Sequence, residues 1–174
     1  MTLPPYKKVL TNRRGTLPSF RMVTFDPGET TGWACFKGEE LDACGQITDD
    51  QANNFRAILN GYQPHIVVCE DYRVYAHKIN ANINSQIIPA RLIGQIELIC
   101  LDRGIPVVLQ MASQAKGFTT DTKLRDWGFW QRGSRHSRDA IRHGIYFLFH
   151  GQFSLVLKEP IDATMQTELQ SIAL

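Results

Sequence analysis

Long apolar runs are missing from this 174-residue sequence: none approaches the roughly 20 residues that a membrane-spanning helix needs. No membrane partner is therefore expected. The first 19 residues lack the apolar segment of a secretory leader, so a cytoplasmic protein is expected. Cysteine is scarce and unclustered. Cys35, Cys44, Cys69 and Cys100 stand far apart among apolar neighbours, never as Cys-x-x-Cys, which reads as reduced, buried thiols and not as a zinc site or disulfide framework. Internal repeats and low-complexity segments are absent too. The length suits one domain able to bury roughly two thirds of its unfolded surface.

Acids are absent from residues 1–25, which carry Lys7, Lys8, Arg13, Arg14 and Arg21. Residues 26–50 reverse this with seven acids and one lysine, and residues 112–150 hold seven Lys/Arg, three acids and three histidines. The net charge is only +2, so what matters is the separation. Distinct acidic and basic zones on one small domain suit a protein that holds metal ions in one place and phosphates in another.

Three prolines and four basic residues make 1–19 an irregular basic arm. Strands are expected at 20–25, 32–37 and, more weakly, 40–48, an antiparallel meander with Pro27-Gly28 and Lys37-Gly38 at its turns. Ala52, Phe55, Ile58 and Leu59 have helical spacing, so 49–59 reads as a helix with Asp49 or Asp50 as N-cap, ended by Gly61 and Pro64. His65–Cys69 is a continuous apolar run of the kind found in strands covered on both faces. A long helix spans 85–103, with a wide apolar stripe of Ile88, Leu92, Ile93, Ile96, Ile99 and Cys100 and with Pro89 in its first turn or else kinking it. A strand at 106–111, a polar, aromatic and basic stretch to Gly133 and a helix over 134–151 follow. The pattern describes an α/β fold, a mixed five-stranded sheet with helices on both faces, over residues 20–151, with 152–174 as a C-terminal tail.

Three acids occupy matching points of this pattern. Asp26 follows the first strand and precedes a tight turn. Glu70 ends the central strand, beside Asp71. Asp139 lies one turn into the last helix, with His136 three residues before it on the same face. Two strand ends and one helix can bring these groups together. Oxygen ligands of this kind suit Mg²⁺ or Mn²⁺, and crowded carboxylates raise each other's pKa unless cations neutralise them. Two ions about 4 Å apart can activate a water and stabilise a leaving 3′ oxygen in phosphodiester hydrolysis. Alternation along the strand sends Asp71 to the face opposite Glu70.

The segments FDPGETTGW, IVVCEDY and RHSRDAIRHGIYF resemble, in this order, the three acidic motifs of the RuvC-like Holliday junction resolvases, in the RNase H-like superfamily, over roughly Phe20 to His150. The resemblance implies Asp26 as the first-strand aspartate and Glu70 as the glutamate ending the fourth strand. It implies His136 and Asp139 as the last-helix pair, whose first member is Asp or His in that family. All four would be catalytic and metal-binding, with two Mg²⁺ per site and Mn²⁺ able to substitute. It further implies a homodimer that sets two sites on opposed strands of a four-way junction. Related forms occur in bacteriophages, so the expected setting is a bacterial cell or a phage-infected host. The chain departs from bacterial members in its basic arm and in the short, rewritten segment TTDTKLRDWGFWQRGSR before the last helix.

DNA contacts are expected from Lys116, Lys123, Arg125, Arg132, Arg135 and Arg138, with Arg142, interleaved with Phe118, Trp127, Phe129 and Trp130 as stacking platforms. Trp127 and Trp130 read equally well as core. Just after Glu70, Tyr72, Arg73, Tyr75 and Lys78 are expected at the rim of the site. In the resembled family an aromatic in this loop wedges into the junction centre, a role open to Tyr72 or Tyr75. The stripe on the 85–103 helix is core or partly a dimer face. The expected function is a Mg²⁺-dependent, structure-selective endonuclease that resolves four-way junctions and other branched DNA. The alternatives are another RNase H-like nuclease, acting on flaps or RNA–DNA hybrids, and a non-catalytic DNA-binding protein on the same fold.

Overall fold

A computed structural model describes residues 20–72 and 83–151. Five strands, β1 (Arg21–Asp26), β2 (Thr31–Lys37), β3 (Glu40–Ile47), β4 (Ile66–Asp71) and β5 (Val107–Met111), form one sheet of order β3-β2-β1-β4-β5. The first three make the expected antiparallel meander; β4 runs parallel to β1 and β5 parallel to β4. The helices are α1 (Gln51–Tyr62), α2 (Ile83–Leu101), α3 (Ala112–Phe118), α4 (Asp121–Asp126) and α5 (Arg135–His150).

Period-two alternation sorts the side chains into two cores. Met22, Ala34, Phe36, Ile66 and Val68 face α5 and meet its Ala140, Ile141, Ile145 and Leu148. Val23, Phe25, Cys35, Val67 and Cys69 face the other way, onto Phe55 and Leu59 of α1 and Leu92, Ile93, Ile96 and Cys100 of α2. Because β1 and β4 are covered on both sides, they read as nearly unbroken apolar runs until each reaches an acid at its carboxyl end. The mixed sheet with helices on both faces is as expected.

Several local expectations need correction. The first helix continues through Gly61 to Tyr62. Asp50 is its N-cap by position, but with a left-handed backbone (φ 44) it does not cap with its side chain, which instead accepts from the Asn53 amide at 2.9 and 3.0 Å. α2 begins at Ile83, so Pro89 lies inside it and not in its first turn. The stretch before Gly133, for which no element was expected, folds into α3 and α4, the latter capped by the Thr120 hydroxyl, which accepts from the Lys123 N–H at 3.3 Å.

The aromatics of that stretch are core, not open stacking platforms. Phe129 is only 4% exposed, and Trp127 stacks on Phe149 of α5 with ring centroids 5.7 Å apart. Phe118 also packs on Phe149, at 5.0 Å. Trp130 is half-buried, between the guanidinium groups of Arg125 and Arg138. The expected apolar stripe of α2 is likewise core: Ile96 and Cys100 are fully buried. The opposite face of that helix, with Ile87, Leu98 and Leu101, is the exposed apolar one.

Candidate active site

Asp26 closes β1, and Glu70 is the penultimate residue of β4. Parity puts both on the α5 face, in step with Thr24 and Val68, and the parallel pairing Phe25↔Cys69 makes them neighbours. The turn after Asp26 is clamped to the start of α1: the Gln51 amide donates to the Gly28 and Glu29 carbonyls at 3.0 and 3.2 Å, and the Thr31 hydroxyl bonds both Gly28 and Gln51. α5 then lies close over the strand ends. The Thr24 hydroxyl donates to the Ala140 carbonyl at 2.8 Å, and Gly32 leaves no room for a side chain, since a Cβ there would lie 2.0 Å from the His136 carbonyl oxygen. The first two turns of α5 thereby bring His136 and Asp139 to the acids.

His136 Nδ1 lies 3.3 Å from Asp26 Oδ2, and the Asp26 and Glu70 carboxyl groups interact with each other. Lys116 of α3 reaches in from the side, its Nζ 3.5 Å from Glu70 and 3.4 Å from Asp139. Arg142 pairs with Asp139 and also with Asp121. Burial above all, then the charge of Glu70 and the bond to it, pushes Asp26 up to about 8, with Lys116 opposing. Burial raises Glu70 as well, but His143, Lys116 and Asp26 outweigh it and bring Glu70 down to about 2. Crowding of the two acids thus favours a single negative charge on the pair.

The two shifts have opposite signs for stability. Asp26, raised above its ordinary 3.8, contributes stability that is complete below that value and lost as pH rises towards about 8. Glu70, depressed from 4.5, contributes stability that is present above that value and lost as pH falls towards about 2. Metal-free protein should thus have its highest melting temperature near pH 4–5, with an alkaline decline that Asp26→Asn removes. A thermal-unfolding series in chelator, from pH 3 to 9, checks this; an unchanged alkaline limb in Asp26→Asn would refute it.

Three carboxylates and one imidazole make a donor set for hard divalent cations. Among the described residues no three such groups converge closely enough to hold an ion as they stand. The reason is visible in the geometry: the Lys116 ammonium lies between Glu70 and Asp139 and neutralises them. The residues fit a divalent cation chemically, provided Lys116 yields its place.

No protein-family model matches the sequence, and no curated protein is similar to it at the level of sequence. Solved structures are similar in fold. RuvC of Thermus thermophilus in complex with Holliday junction substrate aligns with a TM-score of 0.59 at 15% identity, covering 78% of this chain and 95% of that one. The fold is RuvC-like. A second Thermus thermophilus RuvC structure aligns at 0.57 and 16% identity, over 78% and 97% of the two chains. The yeast mitochondrial Holliday junction resolvase aligns at 0.54 and 12% identity, over 95% and 86%.

On this RuvC-like framework the expected DNA contacts separate. Lys116, Arg135, Arg138 and Arg142 line an open pocket of about 420 Å³ beside Asp139. Arg135 and Arg132 are exposed and have no ion-pair partner among the described residues. Three of the expected contacts also bond within the domain: Lys123 donates to the Phe118 carbonyl at 2.6 Å, the exposed Arg125 lies on the Trp130 ring, and Arg138 donates to the Gln131 carbonyl at 2.7 Å. Tyr72 is half-buried against the α1–α2 core. Arg73, Tyr75 and Lys78 lie outside the described residues.

Sequence reasoning missed one member of the site. His143 is fully buried, with Nε2 3.0 Å from Glu70 Oε2 and Nδ1 3.1 Å from Gln110 Oε1. The signal was present: His143 follows Asp139 by four residues and His136 by seven, on one helical face.

Proposed function

We propose that the protein is a divalent-cation-dependent endonuclease that resolves four-way junctions and related branched DNA. The observation that carries this reading is the convergence of Asp26, Glu70, His136 and Asp139, from three distant parts of the chain, at the carboxyl ends of the two central strands of a RuvC-like sheet. These four residues would hold Mg²⁺, two ions per site, with Mn²⁺ as substitute. Such ions supply activation of a water and neutralisation of charge on the scissile phosphate. Arg142 keeps the Asp139 carboxylate oriented, and Lys116, released when the acids are neutralised, joins Arg135 and Arg138 in holding DNA phosphates. Arg132 extends that basic edge, and the segment after β4, with Arg73, Tyr75 and Lys78, is assigned to the junction branch point. Lys123 and Arg125 brace that edge through Phe118 and Trp130 and add to its charge, and Tyr72 leads into the segment that follows β4. The setting is the cytoplasm of a bacterium or an infected host, where branched DNA arises.

Cleavage of a synthetic immobile four-way junction, beside linear duplex, flap and RNA–DNA hybrid, tests the reading. Junction cleavage in Mg²⁺ that stops with chelator is expected. Equal cutting of all four substrates would defeat junction selectivity, and no cutting in either Mg²⁺ or Mn²⁺ would defeat the enzyme.

Symmetric resolution needs two sites related by a two-fold axis, so a homodimer belongs to the reading. The face of α2 suited to it carries Ile87 (46% exposed), Leu98 (59%) and Leu101 (76%), not the buried stripe. Leu98→Glu should give a folded monomer by sedimentation that binds a junction but nicks it on one strand. Ile96→Glu should instead unfold the protein, because it places an unpaired charge in the core at a cost of several kcal/mol. A wild type that sediments as a monomer with junction bound would rule the dimer out.

A further inference from the structure

Glu70 and Gln110 are paired in register on the parallel strands β4 and β5, and both point to the α5 face. His143 of α5 fills the space between them, with no exposed surface, while Gln110 is 5% exposed. The ring bonds both neighbours at once, Glu70 through Nε2 at 3.0 Å and Gln110 through Nδ1 at 3.1 Å. An aliphatic side chain would suit this position better on stability alone, since a buried imidazole must have its polar atoms satisfied. Gln110 can satisfy Nδ1 as donor or acceptor, because its end group offers an N–H₂ and a C=O. Glu70 Oε2 takes both His143 and Lys116; Oε1 takes neither.

We infer that His143, backed by Gln110, is a positioning residue that fixes the rotamer of Glu70 and the oxygen it presents to a divalent cation. This rests on the nuclease reading of the site but concerns a contact which that reading does not require. A carboxylate at a strand end has two free side-chain torsions before its terminal group, and the cation site needs a single setting. The Gln110–His143–Glu70 chain supplies it from the sheet and helix interior, independently of Lys116, which lies on the solvent side with 42% of its side chain exposed. Groups that orient metal ligands from behind are typically worth about 10–100-fold in metal affinity or activity.

Three variants test it: His143→Leu, His143→Gln and Gln110→Leu, with Mn²⁺ binding to DNA-free protein measured by titration calorimetry and junction cleavage measured across Mg²⁺ concentrations. His143→Leu should weaken Mn²⁺ binding and raise the Mg²⁺ needed for half-maximal cleavage by roughly 10–100-fold. Junction affinity in chelator should stay within about twofold, since the phosphate contacts are untouched. His143→Gln, which can still donate to Glu70, should recover most of the loss. Gln110→Leu should lie between, and the double variant with His143→Leu should be no worse than His143→Leu alone, because Gln110 acts through the ring. If His143→Leu does not fold, Gln110→Leu decides. Wild-type metal affinity and Mg²⁺ dependence in folded His143→Leu, or in Gln110→Leu where the first fails to fold, would overturn the inference while leaving the nuclease reading intact. A wild type that binds Mn²⁺ but cuts nothing would defeat the nuclease reading alone, the calorimetry still deciding on His143. A wild type that binds no Mn²⁺ would overturn both.

Discussion

Asp26→Asn, Glu70→Gln and Asp139→Asn should each abolish junction cleavage, by roughly 10²–10³-fold or more, while leaving junction binding within a few-fold. The first half follows from the chemistry: each acid would neutralise a cation that acts on charge developing only in the transition state, and losing one such electrostatic group typically costs about that much. The second half follows from the layout. Arg132 and Arg135 are exposed outside the acid cluster, and they would carry the affinity through phosphate contacts. Asp26→Asn should combine loss of activity with a gain in melting temperature for metal-free protein near pH 8, because it removes a buried acid crowded by Glu70. His136→Asp should keep substantial activity and His136→Ala little, since an oxygen donor can replace nitrogen beside Mg²⁺. Asp71→Asn should matter little, as β4 turns that side chain to the other face. Single-turnover cleavage with each variant, beside binding in chelator, measures all of this. Near wild-type cutting by any one of the three acid variants would remove that acid from the site.

Gly32→Ala should be nearly as damaging, though it changes no ionisable group. An added Cβ at Gly32 would stand 2.0 Å from the carbonyl oxygen and 2.2 Å from the carbonyl carbon of His136. Both are backbone atoms, so the conflict cannot be relieved by turning a side chain. The amino end of α5 must move off β2 by more than 1 Å, carrying His136 and Asp139 away from Asp26 and Glu70. A displacement of that size typically costs about 10²-fold in rate, and overpacking of this kind costs about 1–3 kcal/mol of stability. Gly61→Ala is the control: nothing lies within 4 Å of a Cβ there, and alanine in α1 should stabilise by about 0.5–1 kcal/mol. Chemical denaturation and cleavage rates of both variants test the pair. A Gly32→Ala protein as stable and active as wild type would show that α5 does not depend on this contact for its position.

Much of the architecture is legible in one dimension. Alternation in β4 sends Asp71 to the face opposite Glu70, because strand geometry sends successive side chains to opposite sides whatever surrounds them. The i, i+3 spacing of His136 and Asp139 puts them on one side of α5 for an equally local reason. Hence the placing of Asp26, Glu70, His136 and Asp139 on their elements and the sheet with helices on both faces were readable, whereas α3 and α4 were not. What covers a given face was not. α2 carries Ile87, Ile88, Leu92, Ile93, Ile96, Leu98, Ile99 and Leu101, apolar on most of its circumference, and only packing shows that Ile96 is interior and Leu98 and Leu101 are outside. Trp127 and Phe129 have the same composition whether they meet bases or Phe149 and Leu124; the chain's path through α3 and α4 puts them inside. The same holds at the acids. Lys116 between Glu70 and Asp139, and His143 between Glu70 and Gln110, are contacts across more than 20 residues of chain. Periodicity reports which side of an element a residue occupies, and only the folded arrangement of elements reports which charge or ring stands opposite.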